Sequence, residues 1–240
     1  MFFLQISFVL QKNRSLKLSE DLLMLNRFKT YSPIKRNLIK CCCFFLAAIL
    51  VLGVILALYA TRVLYIRDNG LSIKPSADHE THSIQYYLQN DDEWANDLIG
   101  GTNRRIGSAG CLVTCVASAA TDLGVSVTPK EVNSALSSND GFQGADLIWY
   151  KINESFPEID YKYSRIFSSS TIENDLELGL LPIINVKMNG NGVTHWLLVV
   201  GAADGEFLVY DPLNSDKKPI YLSKHGNVYS YRVLVRSDMS

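Results

Sequence analysis

The sequence predicts an α+β domain, with helices first and an antiparallel sheet after them, behind a single N-terminal transmembrane helix. Three observations lead to this prediction: an uncharged apolar run near the start, amphipathic helical patterns in the middle, and short strand-like segments toward the end. The charges divide around the apolar run, since residues 1–40 carry a net +6 and residues 62–240 a net −7. The apolar content excludes a disordered chain, and the acidic larger part argues against a nucleic-acid partner.

Residues 41–61 form the apolar run and contain no Asp, Glu, Lys, Arg or His. A helix of this length covers about 30 Å at about 1.5 Å per residue, which matches the hydrocarbon thickness of a bilayer. A buried core helix would usually be shorter and keep a polar stripe, and a cleaved signal peptide would be followed by a small-residue cleavage site, which this run lacks. We therefore expect an uncleaved signal anchor that spans the cell membrane once.

The flanking positive charges predict the orientation of this anchor. Residues 21–40 contain five Lys/Arg and residues 62–81 contain three, which favours a cytoplasmic amino end and an extracytoplasmic remainder. The predicted segments are a basic cytoplasmic tail at 1–40, the transmembrane helix at 41–61, a juxtamembrane linker at 62–82 and a folded domain at 83–236.

Three features of the flanking segments have more than one interpretation. Translation from Met24 would give the same anchor as translation from Met1, because the residues before Met24 add little that an anchor needs. The cysteines at 41–43 suit S-acylation, and they equally suit apolar packing. His79 and His82 are three residues apart, but no further ligand pattern completes a metal site, so we expect a solvated linker without a metal.

Four stretches of the folded domain carry helical patterns. Residues 111–123 place apolar side chains at three-and-four spacing and end before Gly124, a common helix stop. Thr128 and Glu131 are spaced as a capping box around a first-turn proline. The two remaining stretches are residues 145–154 and 171–178.

Five short segments after residue 180 carry strand patterns. Each is rich in Val, Ile, Leu or Tyr and is separated from the next by Gly, Asn or Asp. Their spacing predicts one antiparallel sheet. The segments are residues 181–188, 195–201, 206–211, 219–222 and 229–235.

Cys111 is the first candidate for chemistry. A loop of small residues, 107–110, delivers this cysteine to the first turn of an apolar helix. Unpaired backbone N–H groups and the helix dipole at that place stabilise a thiolate, and the same amides can hold an oxyanion. Cys115 lies one turn further along and suits apolar packing, and a disulfide between the two cysteines would be strained.

His195 and Asp211 complete the candidate site. His195 stands where a loop rich in Gly and Asn enters an apolar strand, and Asp211 ends the next strand. A hairpin with its tip between residues 202 and 206 brings Asp211 within reach of His195. A carboxylate there would orient the imidazole so that it accepts the thiol proton, which gives a nucleophile, a base and an orienting acid in the order Cys, His, Asp.

These residues resemble a known family. The stretches that carry the resemblance occur in the same order as in papain-like cysteine peptidases of family thirty-nine, the bacteriocin-processing type and its single-domain relatives. The resemblance covers residues 84–236 and implies a papain-like fold, in a membrane-anchored single-domain relative. The stretches are residues 86–94, 98–100, 106–111, Gly124, Thr128-Pro129, His195-Trp196 and Asp211-Pro212.

The resemblance implies a role for each candidate residue. Cys111 would be the nucleophile, His195 the general base and acid, and Asp211 the orienting residue. Gln89 would donate to the oxyanion beside the Cys111 amide, although many members of the family have this glutamine only a few residues before the cysteine, where this chain has Arg105. The resemblance implies no cofactor and no metal.

The sequence therefore predicts a membrane-anchored thiol protease that hydrolyses peptide bonds outside the cytoplasmic membrane. Its expected partners are a peptide or protein substrate, the membrane and a separate transporter, because the chain lacks the phosphate-binding lysine loop of a peptidase-transporter fusion. Two alternatives remain: a cysteine amidase that acts on the cell wall, and a non-catalytic peptide-binding module on the same scaffold. The sequence does not indicate which peptide is cleaved.

Overall fold

The computed structural model describes residues 33–239, so most of the predicted tail at 1–40 lies outside the described residues. The chain divides into two units, with the boundary between Ala60 and Thr61. The second unit combines helices with a six-stranded antiparallel sheet, which is the predicted α+β class.

Helix α1 extends over Pro33–Asn69 and contains the predicted span. Its large apolar side chains from Phe44 to Leu58 are 56% to 75% exposed, a surface that suits lipid better than water. Within the described residues it is the one helix long and apolar enough to cross a membrane. The helix continues past the predicted end at residue 61, because Ile66 is buried in the core of the second unit.

The segment predicted to be a free linker, residues 62–82, packs on the folded unit instead. Leu71 pairs with Val228, and His79 pairs with Ala202, each as an isolated antiparallel bridge. Ile73 is buried in the core. The expectation of a solvated linker is therefore wrong at Leu71, Ile73 and His79, which contact the folded unit. Leu64 and Tyr65 of the same segment are exposed.

The buried Glu173 holds the middle of this segment. Its Oε1 atom accepts hydrogen bonds from the backbone N–H and the hydroxyl of Ser76 at 2.6 and 2.8 Å. His79 Nε2 lies 3.4 Å from the same oxygen. Although burial alone would raise the pKa of Glu173, the hydrogen bonds from Ser76, His79 and Ala77 hold it below its ordinary value.

The helices of the second unit begin near the predicted positions. The capping box of Thr128 and Glu131 is formed in both directions, as the sequence predicts. The predicted helix over 145–154 is wrong in its first half, because residues 146 and 147 pair in a two-residue strand. The described helices after α1 are α2 (Ile106–Ala109), α3 (Cys111–Asp122), α4 (Pro129–Ser138), α5 (Lys151–Ser155) and α6 (Ser169–Glu177).

The described strands are β1 (Phe142–Gln143), β2 (Asp146–Leu147), β3 (Ile159–Tyr163), β4 (Pro182–Lys187), β5 (Thr194–Ala203), β6 (Glu206–Tyr210), β7 (Ile220–Tyr221) and β8 (Val228–Arg236). All neighbours in the main sheet run antiparallel, and its strands lie in the order β3-β8-β4-β5-β6-β7. Strand β3 was not predicted. It pairs with β8 at the sheet edge and comes before helix α6, so the helices do not all precede the strands.

The core lies on both faces of this sheet. Adjacent residues on a strand point to opposite faces, so Leu197 belongs to one buried cluster and Leu198 to the other. The cluster with Leu198 includes the apolar side of α3, for example Val116. Helix α3 therefore packs against the sheet face next to β5, which places Cys111 near the start of that strand.

Candidate active site

Cys111 is the first residue of α3 and is almost completely buried at 9% exposure. Gly110 separates α2 from α3, and a Cβ atom there would lie 2.6 Å from Ile106 Cγ2 and 2.7 Å from the Ile106 carbonyl oxygen. The tight turn therefore requires glycine at residue 110. Because the first amides of a helix have no intrahelical acceptor, the turn presents Cys111 together with free backbone donors.

His195 is the second residue of β5 and is 2% exposed. It pairs in register with Val186 of β4, and its carbonyl oxygen accepts a 3.3 Å hydrogen bond from Asn185 Nδ2. The strand and this side-chain contact fix the backbone of His195. The sheet therefore fixes the position from which the imidazole projects, although a loop rich in Gly and Asn comes directly before the strand.

Asp211 follows the last residue of β6. The β5–β6 hairpin turns at Asp204 and Gly205, both with positive φ, and pairs Leu198 with Tyr210 after a register shift between Val199 and Gly201. This register brings the Asp211 carboxylate to the imidazole of the preceding strand. The hairpin tip lies within the predicted range of residues 202–206.

The contact between the two side chains is short and buried. His195 Nε2 lies 2.7 Å from Asp211 Oδ1, and both side chains are less than 10% exposed. The same oxygen accepts a 2.8 Å hydrogen bond from the backbone N–H of Leu213. With Nε2 engaged in this way, Nδ1 is the ring nitrogen of His195 that is left for a thiol. Cys111 lines the same cleft as His195 and acts on its ring electrostatically.

The electrostatics of the site favour a charged imidazole. Burial lowers the pKa of His195, but hydrogen bonds with Asp211 and Cys111 and the negative charges of both raise it to about 9 overall. Burial also acts to raise the pKa of Asp211, yet the hydrogen bonds from His195 and the Leu213 amide, together with the nearby His225 ring, hold it well below its ordinary value. The pair therefore carries an imidazolium beside a carboxylate near neutral pH.

Gln89 lines the same cleft as Cys111 despite the distance in sequence. Its backbone N–H donates to the Pro212 carbonyl at 2.9 Å, so it is tied to the turn that carries Asp211. Its side-chain Nε2 donates to the Gly107 carbonyl at 3.1 Å, in the loop before the cysteine. One of the two amide hydrogens is used in this bond, which leaves the second one for a ligand in the cleft.

A cleft of about 660 Å³ opens over these residues. Gln89, Cys111 and His195 contribute to its floor, and it is lined further by one acidic and one basic side chain, Asp146 and Arg104. The volume is typical of a pocket that holds a small ligand or a few residues of a peptide. The remaining lining residues are Ser108, Ala109, Leu112, Ala145, Leu147, Met188, Gly192, Val193, Thr194, Trp196 and Leu213.

The second cysteine of helix α3, Cys115, is buried away from the cleft lining. Cys115 is fully buried, and its thiol donates to the Trp196 carbonyl at 3.5 Å. Burial first, and then the negative charges of Cys111 and Asp211, raise the pKa of Cys115 well above its ordinary value. Within residues 33–239, no three His, Cys, Asp or Glu side chains are grouped as a metal site would need.

One residue beside the site was missed at the sequence level. His225 is 2% exposed, and its Nε2 lies 3.4 Å from Asp211 Oδ2. The sequence around it, a polar turn before the last strand, gives no signal of this position. Prediction of this position would have required the order of the strands. Val186 of β4 pairs with His195 on one side and with Val228, three residues after His225, on the other.

Comparisons with known proteins find a similar structure but no match to a family model or a curated protein. The chain is similar to a crystal structure described as a "putative C39-like peptidase" from Bacillus anthracis, with 13% sequence identity and a TM-score of 0.47. The likeness covers 67% of this chain and 98% of that one. Because this likeness is loose, the function has to be inferred from the geometry of the site itself.

Proposed function

We propose that this chain is a membrane-anchored cysteine peptidase that hydrolyses peptide bonds outside the cytoplasmic membrane. Residues 83–236 would form a papain-like peptidase domain, the segment at 62–82 would join it to the anchor, and the tail at 1–40 would lie in the cytoplasm. The observation that carries the proposal is the buried 2.7 Å contact of His195 with Asp211 beside the first residue of an apolar helix, Cys111.

The proposed first step is attack by the Cys111 thiolate on a backbone carbonyl carbon. A C–S bond forms, and the carbonyl electron pair moves onto oxygen, where the amide of Cys111 and the free hydrogen of the Gln89 amide stabilise it. His195 then transfers its Nδ1 proton to the leaving nitrogen, and the C–N bond breaks. Asp211 keeps the imidazolium in place through the Nε2–H hydrogen bond.

The second step releases the acyl group from the enzyme. Neutral His195 accepts a proton from a water molecule, and the resulting hydroxide attacks the thioester carbon. Collapse of this intermediate breaks the C–S bond and releases the sulfur of Cys111 as a thiolate. The proton taken from water stays on His195, so the thiolate and imidazolium pair is re-formed and the acyl group leaves as a carboxylic acid, which ionises in water. The His195 ring thus acts as acid in the first step and as base in the second.

The direct test is cleavage of a peptide library by the full-length chain in detergent micelles. The library is blocked at its amino ends, and new termini are identified by mass spectrometry. We expect new peptide termini that disappear in Cys111→Ser, while Cys115→Ser, which removes a thiol one turn away from the site, retains cleavage. Each alternative predicts a different result: a binding module retains peptides without cleaving them, and an amidase cleaves cell-wall fragments and leaves the library intact.

The topology is tested separately by adding a protease to intact cells. We expect digestion of residues 83–236, because five flanking Lys/Arg on the amino side against three on the carboxyl side favour an extracytoplasmic domain. Full protection of this domain in intact cells, with digestion after lysis, would contradict the proposed orientation.

A further inference from the structure

His225 reaches the site through the order of the strands. Strand β4 lies between β5 and β8, and Val186 pairs with His195 on one side and with Val228 on the other. His225 comes three residues before Val228, so the turn that precedes β8 lies at the same end of the sheet as His195. The two imidazole rings are 5.9 Å apart between centroids.

The contacts of His225 define its tautomer. Its Nδ1 accepts a 3.4 Å hydrogen bond from the backbone N–H of Asn189, so in the neutral ring the hydrogen is on Nε2. This Nε2 atom is buried and has no hydrogen bond of ordinary geometry. A buried N–H without a close acceptor costs free energy, and among the described residues Asp211 Oδ2, at 3.4 Å, is the acceptor in its reach.

The two oxygens of Asp211 have separate partners. Oδ1 accepts from His195 Nε2 and from the Leu213 amide, at 2.7 and 2.8 Å. Oδ2 faces His225 alone among the residues that the structure describes. A carboxylate held only through Oδ1 can still turn about its Cβ–Cγ bond, whereas a donor at Oδ2 restricts that rotation.

The same histidine also reaches the wall of the cleft. Asn189 belongs to a short 3-10 turn, Met188–Gly190, and Met188 and Gly192 line the cleft above Cys111. The Asn189 amide therefore links this wall to the ring of His225, and the ring links it to Asp211.

We infer that His225 is a positioning residue, which holds the Asp211 carboxylate in the rotation that keeps Oδ1 on His195 and joins that carboxylate to the cleft wall at residues 188–192. This inference rests on the proposed peptidase function and adds to it a fourth residue, one that touches neither the substrate nor the thiol. Residues that orient a primary functional group in this way are often needed for full activity.

Loss of this contact has a consequence for the charge on His195. Three groups face His195: Cys111 from α3, Asp211 from the turn after β6 and His225 from the turn before β8. Cys115 lies near Cys111 and Asp211, and the exposed Lys224 is next to His225 in sequence. If the carboxylate rotates away, the imidazolium loses its main partner and deprotonates at lower pH. If His225 only competed for the carboxylate charge, its removal would instead move that deprotonation to higher pH.

The test uses two matched variants of the full-length chain in detergent micelles. His225→Gln places an amide donor where Nε2 lies, so it can still reach Asp211. His225→Asn offers an acceptor to the Asn189 amide but is too short to reach Asp211. Alkylation of Cys111 is followed by mass spectrometry of its peptide, with iodoacetate, which an imidazolium attracts, and with neutral iodoacetamide.

The ratio of the two alkylation rates reports the charge of His195 as pH rises. We expect His225→Asn to move the fall of this ratio about one pH unit toward acid, the size expected for the loss of one polar contact with a charged group, and to leave the alkylation rate at pH 7 nearly unchanged. His225→Gln should keep the ratio curve of the unmodified chain. His225→Leu is the second variant if His225→Asn does not fold.

The outcomes separate this inference from the proposed function. If Cys111 of the unmodified chain reacts as an ordinary thiol, both ideas fail. If that chain has an activated Cys111 but His225→Asn and His225→Leu leave the ratio curve in place or move it toward alkali, only the positioning role is overturned. A shift in His225→Gln as large as that in His225→Asn would overturn it as well.

Discussion

Replacement of Asp211 by Asn removes the charge that stabilises the His195 imidazolium while keeping the shape of the side chain. The Leu213 amide still requires an acceptor, so the Asn oxygen stays at the Oδ1 position and the contact with His195 Nε2 is retained. The new amide group then faces the Nε2–H of His225, donor against donor. The variant therefore removes the negative charge, and with it the acceptor that faces His225, without changing the size of the side chain.

The magnitude follows from the pKa of His195. That pKa is raised from 6.5 to about 9, although burial acts to lower it. Without the Asp211 charge, the hydrogen bond and charge of Cys111 remain, and we expect the pKa of His195 to fall by about two units. This corresponds to about 3 kcal/mol at 1.36 kcal/mol per unit, and it agrees with about 4 kcal/mol for unit charges 4 Å apart at an effective dielectric constant of 20.

The assay is the ratio of iodoacetate to iodoacetamide alkylation at Cys111 as a function of pH. In the unmodified chain the ratio should fall near pH 9, where His195 loses its proton. In Asp211→Asn it should fall near pH 7 or below. A fall that stays near pH 9 in Asp211→Asn would refute the conclusion that this carboxylate stabilises the imidazolium.

Three further predictions concern stability and local order. The pKa of His195 is higher in the folded state than in the unfolded chain, so its contribution to the free energy of unfolding is complete below pH 6.5 and is lost as pH rises to about 9. Urea unfolding should therefore show a loss of about 3 kcal/mol of stability over this window. His195→Gln should remove this dependence of stability on pH. Gly110→Ala should cost about 1–3 kcal/mol and slow alkylation of the site cysteine, because its Cβ meets the preceding turn at 2.6 Å, whereas Gly101→Ala, with open space around it, should do neither. Glu173→Gln should speed backbone hydrogen exchange in the segment at 62–82, which packs on this carboxylate, at least about tenfold. Glu177→Gln, at an exposed position of the same helix, should leave this exchange unchanged. Equal exchange rates in the two variants would contradict the role given to the buried carboxylate.

Local patterns predicted those parts of the fold that depend on neighbours in sequence. The capping box at Thr128 and Glu131 and the hairpin turn at Asp204 and Gly205 are both set by a few adjacent residues, and both lie where the sequence places them. Strand β3 was missed because it is a short edge strand with alternating polar residues, which becomes a strand only through its pairing with β8.

The site divides in the same way. The position of Cys111 at a helix start follows from the small residues before it, and the approach of Asp211 to His195 follows from one hairpin. The approach of His225 depends on the placement of β8 beside β4, and the tie of Gln89 to Pro212 joins segments more than 120 residues apart. Contacts of that kind arise from the packing of distant elements, which no local pattern encodes.

The central claim is that His195 activates Cys111, and the rate of iodoacetamide alkylation at pH 6 tests it most directly. The measurement follows the Cys111 peptide in the full-length chain, with Cys115 as an internal reference that is buried and has a raised pKa. We predict that Cys111 reacts at least about tenfold faster than a free thiol of ordinary pKa at this pH, and that His195→Ala abolishes the difference. A Cys111 that reacts no faster than a free thiol, or that keeps its rate in His195→Ala, would contradict the account.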